Sequence, residues 1–112
     1  MDIRGVNSVE ALARFSGNAE RYRHWVLEFV EFGPAVVREI KAAITAKDRD
    51  KARHLTHGLK GRAAILGMSE IQSIASSLEL ALRNGEPLDL WLDELEETCT
   101  EMVQEIQRSL AT

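Results

Sequence analysis

Within the stretch HLTHGLKGRAAILG, residues 54–67, a histidine, a lysine and a glycine stand at positions 57, 60 and 61. The imidazole of a histidine offers a ring nitrogen that is a competent nucleophile near neutral pH. On a helix, a lysine three residues further on lies one turn away on the same side. There the Lys60 ammonium would sit beside the negative oxygens of a phosphoryl group held on His57, where a carboxylate would oppose transfer. The same stretch spends three positions on glycine, Gly58, Gly61 and Gly67. A glycine inside a helix costs about 0.5–1 kcal/mol relative to alanine. Solvated helix positions are ordinarily filled by Glu, Lys or Gln. A bare strip beside a histidine instead lets another molecule come close to the ring.

The helix that must position these residues is capped by Asp48 and ends at Gly67. At about 100° per residue, Ala52, Leu55, Leu59, Ala63 and Leu66 gather on one face as its core stripe. His57, Gly61 and Ala64 point the opposite way, with Lys60 and Arg53 on one flank and His54 on the other. Around this element the 3–4 spacing of amphipathic helices recurs. A short helix is predicted over Val9 to Phe15, capped by Asn7 or Ser8 and followed by Gly17. Asn18 caps a long helix carrying Tyr22, Trp25, Val26, Phe29, Val36, Val37, Ile40 and Ile44. Its apolar phase continues across Pro34, so a single kinked helix is expected. Ser69 and Gln72 read as a capping box for a helix with Ile71, Ile74, Ala75, Leu78 and Leu82 inward. Pro87 suits the first turn of a last helix, with Leu88, Leu92, Leu95, Cys99, Met102, Ile106 and Leu110 on one stripe. Short connections between long helices imply an all-α, up-and-down antiparallel four-helix bundle with a short extra N-terminal helix.

Composition narrows the function. The 112 residues suit one domain, 45% apolar and 29% charged. The lone Cys99 excludes an internal disulfide and suits a reducing cytoplasm. A net charge of −4 argues against general nucleic-acid binding, and no apolar run is long enough to cross a membrane. Basic residues gather at 47–62 and acidic ones at 86–105. The acidic block reads as solvated helix face. The basic block surrounds the bare strip and suits steering of an acidic partner. No G-x-x-x-x-G-K loop or kinase glycine-rich loop is present, so the chain has no means of phosphorylating itself from ATP. His54 and His57 lack a third ligand for metal, and Lys60 would repel a cation. Trp25, Trp91 and Cys99 read as core, and His24 as surface or core edge.

HGLKGRAAILG resembles the His-x-Leu-Lys-Gly signature of histidine phosphotransfer (HPt) domains, the carriers of multistep phosphorelays. GVNSVEALARFSGNAERY is similar to the family's lead-in helix and first bundle helix, and LGMSEIQSIASSLELALRNGE to the helix after its histidine. The resemblance implies His57 as phosphoacceptor, Lys60 as charge partner and Gly61 as the gap admitting a receiver domain, with Ala64 beside it. Arg62 departs from the family, where that position is often small, and reads as a core-edge residue or an added positive charge. Related domains often place a polar residue against the imidazole near Glu79. Either Glu79 or Gln72, seven residues earlier, could accept a hydrogen bond from the inner ring nitrogen and leave the outer one free. Arg53, His54 and Met68 are the candidate docking residues.

The resemblance also implies the partners. Receiver domains would bind transiently and supply their own Mg²⁺, while this chain acts as a monomer with no cofactor, no nucleic acid and no membrane contact of its own. MDIRGVNSVEAL resembles the linker before an HPt domain at the end of a hybrid sensor kinase. Residues 1–8 are therefore expected as linker and 9–112 as the domain, cytoplasmic and either free or tethered to a membrane-bound kinase. Two other readings stay open. One is the phosphoacceptor domain of a chemotaxis-type histidine kinase; the other is a helical interaction module whose histidine is incidental.

Overall fold

Each helix starts and stops where a cap allows it. The computed structural model describes residues 3–111. Asn7 caps α1 (Ser8–Arg14) by accepting from the Glu10 amide, and Asn18 caps α2 (Ala19–Thr45) through the Arg21 amide. Asp48 does the same for α3 (Arg49–Leu66) through the Lys51 amide. α2 passes through Pro34 as one helix. It ends with Lys47 left-handed (φ 60°) and the Asp48 amide donating to the Ala43 carbonyl, so one residue closes α2 and opens α3.

The turn from α3 to α4 (Ser69–Asn84) repeats this geometry with Gly67 at φ 75°. The Met68 amide donates to the Ala63 carbonyl at 2.9 Å, which makes Met68 both the end of that motif and the N-cap of α4. The capping box expected from Ser69 and Gln72 is therefore displaced, and α4 has no side-chain cap. Met68, expected on the docking surface, is completely buried. The position after a left-handed cap commonly packs back on its helix, and here its side chain joins the core.

The last turn uses Gly85, also left-handed, and leads to α5 (Asp89–Ala111). Pro87 precedes that helix, because the first helical bond runs from the Leu92 amide to the Leu88 carbonyl. Arg49 donates to the Leu82 carbonyl at 3.1 Å, closing the C-terminal end of α4.

α2 packs on α3 and α5, and α4 packs on the same two, which closes a four-helix ring with α1 laid over α2 and α3. Among the described residues there is no strand. This is the all-α bundle that the apolar periodicity predicts. The core holds Val26, Phe29, Ile40, Leu59, Leu66, Ile71, Leu78, Leu95 and Ile106. Trp25 and Trp91 are half-buried against its outside, while Cys99 is inside, where burial pushes its thiol up to about 12. Leu110 is exposed, so the α5 stripe stops at Ile106. Within residues 3–8, expected as linker, Ile3 is in the core and the Asn7 amide donates to the Gly67 carbonyl at 2.9 Å. Met1 and Asp2 lie outside the described residues.

Gly67 is thus the joint of three elements. A Cβ there would stand 2.7 Å from the Asn7 carbonyl oxygen on a backbone that L side chains rarely adopt. Gly67→Ala should cost about 2 kcal/mol or more by combining strain with displacement of α1. A thermal melt of the variant within a degree of the parent would contradict this account of the turn.

Candidate phosphoacceptor site

His57 stands in the middle of α3 with its side chain 69% exposed. The inward stripe of α3 is Ala52, Thr56, Leu59, Ala63 and Leu66. Thr56 takes the place expected for Leu55 because its hydroxyl donates to the Ala52 carbonyl at 2.8 Å, satisfying its one buried polar group. Leu55 lies half-buried against the rim of the core. A Cβ built on Gly58 or Gly61 meets nothing within 4 Å, so both positions are open ground beside the ring. The bare strip is shorter than expected at its other end. Arg14 reaches from α1 to donate to the Ala64 carbonyl at 2.8 Å and covers that turn.

Behind the ring, α4 supplies Glu79, whose side chain is only 10% exposed. One carboxylate oxygen lies 2.8 Å from His57 Nδ1, and the other accepts from Lys60 Nζ at 2.6 Å. The Lys60 hydrogen bond holds the Glu79 carboxyl below its ordinary value, with His57 adding to it and burial opposing. An ionised carboxylate only accepts hydrogen bonds, so Nδ1 must carry the proton. In the neutral ring the remaining lone pair is then on Nε2. This carboxylate stands behind the ring and is already paired with Lys60. Gln72, the other candidate for this contact, is exposed in a polar groove with Lys60, Ser69, Ser73, Ser76 and Ser77.

The two flanks of His57 differ. On the α4 side lies that serine-lined groove. On the α2 side a hollow of about 740 Å³ is lined mainly by Trp25, Phe32, Leu55 and Ile65, with Gly58 and Gly61 at its edge. Gly58 and this hollow lie outside the site residues expected from the sequence. A glycine adjoining the histidine is the signal that could have found Gly58, whereas the half-burial of Trp25 and Phe32 carries no signature distinct from core.

Much of the basic block is committed within the fold. Arg49 closes α4, Lys60 pairs with Glu79, and Arg53 lies 3.7 Å from Asp50. Of the candidate docking residues, Arg53 is half-exposed, and His54 lines the hollow with its Nδ1 3.0 Å from the Asp50 carbonyl. Arg62 lies between aromatic rings of α2, the core-edge placement rather than a free charge.

Among the described residues no three His, Cys, Asp or Glu side chains converge to hold a metal ion, and no helix is long and apolar enough to cross a membrane. The Glu79–Lys60 pair has a pH signature. A carboxyl lowered from 4.5 by folding contributes stability that is present above that value and lost as pH falls through the folded one. Lys60→Met should be less stable than the parent by about 1 kcal/mol at neutral pH, given partial solvent screening of the pair. Urea denaturation should show this gap closing once the pH is taken well below 4.5. A gap of the same size at both pH values would contradict the pairing.

The fold is similar to the crystal structure of the HPt domain of an Hpt sensor hybrid histidine kinase from Shewanella, with a TM-score of 0.80 at 20% identity over 98% of this chain and 97% of that one. No curated protein matches the sequence. The Hpt domain family model matches residues 24–111, which span His57, Lys60 and Glu79. The chain belongs to the Hpt domain family.

Proposed function

We propose that this chain is a phosphoryl carrier whose acceptor atom is His57 Nε2. The observation that carries the reading is the Glu79 carboxylate on Nδ1, which leaves the outward nitrogen as the nucleophile. Nε2 attacks the phosphorus of an aspartyl phosphate on a receiver domain; the P–N bond forms, the P–O bond breaks, and the aspartate leaves as carboxylate. The Nδ1 proton stays in place, so the phosphorylated ring carries positive charge that Glu79 offsets. That positive charge also keeps the ring a good leaving group when a second receiver's aspartate takes the phosphoryl group away. Lys60, 2.6 Å from Glu79, balances the buried carboxylate at rest and lies one helical turn from His57, placed to offset charge on the transferring phosphoryl group. The Mg²⁺ and acidic pocket belong to the receiver. The chain acts as a monomer in the cytoplasm and meets its receivers transiently.

Incubation with phosphorylated receivers should place an acid-labile, base-stable label on His57. His57→Gln should fold normally, since the side chain is exposed, and take no label. Label persisting on that variant, for instance at His54, would overturn the assignment. Labelling by an ATP-binding kinase domain, and by no receiver, would assign the chain to the chemotaxis-type role instead.

Gly61 gives a second, independent test because space is its only distinguishing property at the site. Gly61→Gln should stabilise α3 by about half a kcal/mol through helix propensity. The same change should slow receiver-to-His57 transfer by at least about tenfold, the equivalent of roughly 1.4 kcal/mol at the barrier. Thermal midpoint and transfer rate, measured on this variant, move in opposite directions if the bare strip admits the receiver. Full transfer in a stabilised protein would contradict that role.

A further inference from the structure

The cation nearest the hollow beside His57 is held in an unusual way. Arg62 projects from α3, its side chain 26% exposed, and its guanidinium carbon lies 4.7 Å from the centre of the Trp25 ring and 4.4 Å from that of Phe32. Its nearest carboxylate is Glu28, at 3.9 Å. Residues 25, 28 and 32 occupy one stripe of α2, so one side chain of α3 is gripped by three consecutive turns of its neighbour. Each ring also leans on other aromatics: Trp25 packs edge-on against Phe15 from beyond α1, and Phe32 packs against Phe29 of the core. Arg62 thus joins two aromatic clusters, and the rings it joins form the α2 wall of the hollow.

From this we infer that Arg62 is a positioning residue for phosphotransfer: stacked between Trp25 and Phe32, it keeps the apolar hollow open beside His57 for an apolar element of the receiver. The inference rests on the carrier reading above. The occupant follows from continuity. His57, Gly58 and Gly61 lie on the rim of the hollow, so a partner that brings an aspartate to Nε2 also covers it. The exposed lining is mostly apolar, which favours an apolar element over a charged one. A guanidinium suits this post better than an ammonium because its planar faces stack on rings and it is weakly hydrated. Without it, Trp25 and Phe32 lose their common partner and are free to close over the space.

The test compares two phosphodonors on the parent chain, Arg62→Ala and Arg62→Lys. Phosphoramidate, a small donor, reaches His57 without docking and should label all three at one rate. With receiver domains of the source genome phosphorylated by acetyl phosphate, Arg62→Ala should raise the KM for the receiver about tenfold and leave kcat unchanged, the effect expected of losing one stacked cation. Arg62→Lys keeps the charge without the planar stack and should restore only part of the loss. An unchanged KM, full rescue by lysine, or equal losses with both donors would overturn the inference. So would a concentration-dependent dimer of the parent that Arg62→Ala abolishes, since it would give the hollow to a second copy. A melt of Arg62→Ala separates loss of docking from loss of fold, and a fall in kcat tracking the unfolded fraction counts against positioning. A parent chain that takes label from phosphoramidate but from no receiver would overturn the carrier reading, and this inference with it.

Discussion

A buried carboxylate has to be compensated, and the placement of the functional face follows from how Glu79 meets that requirement. Its two oxygens are taken by two residues of a neighbouring helix, His57 and Lys60, one turn apart. That arrangement sets the register of α4 against α3. A slip of one residue along either helix would rotate the carboxylate away from the ring and leave an uncompensated charge inside the bundle, which is strongly destabilising. The same contact determines which imidazole nitrogen is protonated. Stability and chemistry are therefore tied to a single side chain, and the helix pair that carries it is joined by a short turn at Gly67 and Met68.

The charges around this pair serve the fold before they serve a partner. Six basic residues between 47 and 62 suggest an electropositive landing surface, but Arg49 is spent on the end of α4, Lys60 on Glu79 and Arg62 on the α2 aromatics. What remains at the site is a polar groove on one flank of His57 and an apolar hollow on the other, separated by positions with no side chain. Under the proposed function the penalty of two mid-helix glycines is accounted for, because a longer residue at 58 or 61 would stand in the receiver's path of approach.

The helices were readable from the sequence because their caps and apolar periods are local signals. Asn7, Asn18 and Asp48 cap the elements expected of them, and α2 runs through Pro34 because its apolar phase does. Readings failed where two local signals compete or where tertiary contact decides. Ser69 and Gln72 form a sound capping pattern, yet the left-handed turn at Gly67 claims the preceding residue, placing Met68 in the core. Leu110 and Pro87 were misplaced by continuing a period to the end of its helix or a propensity to its first turn. At the site, the outward direction of His57 and the openness of Gly61 follow from the helical wheel. The choice between Gln72 and Glu79 does not, since residues seven apart share a face and only the packing of α4 on α3 separates them. The aromatic clamp on Arg62 was out of reach for the same reason.

In the proposed carrier Glu79 keeps the proton on Nδ1 and leaves Nε2 to accept the phosphoryl group. Long-range ¹H–¹⁵N correlation spectra of the histidine-labelled chain at neutral pH test it most directly, recorded before and after phosphoramidate treatment. His57 should show a protonated Nδ1 and an unprotonated Nε2, with phosphorus appearing on Nε2 and the Nδ1 proton retained. A ring protonated at Nε2, or a phosphoryl group on Nδ1, would contradict it.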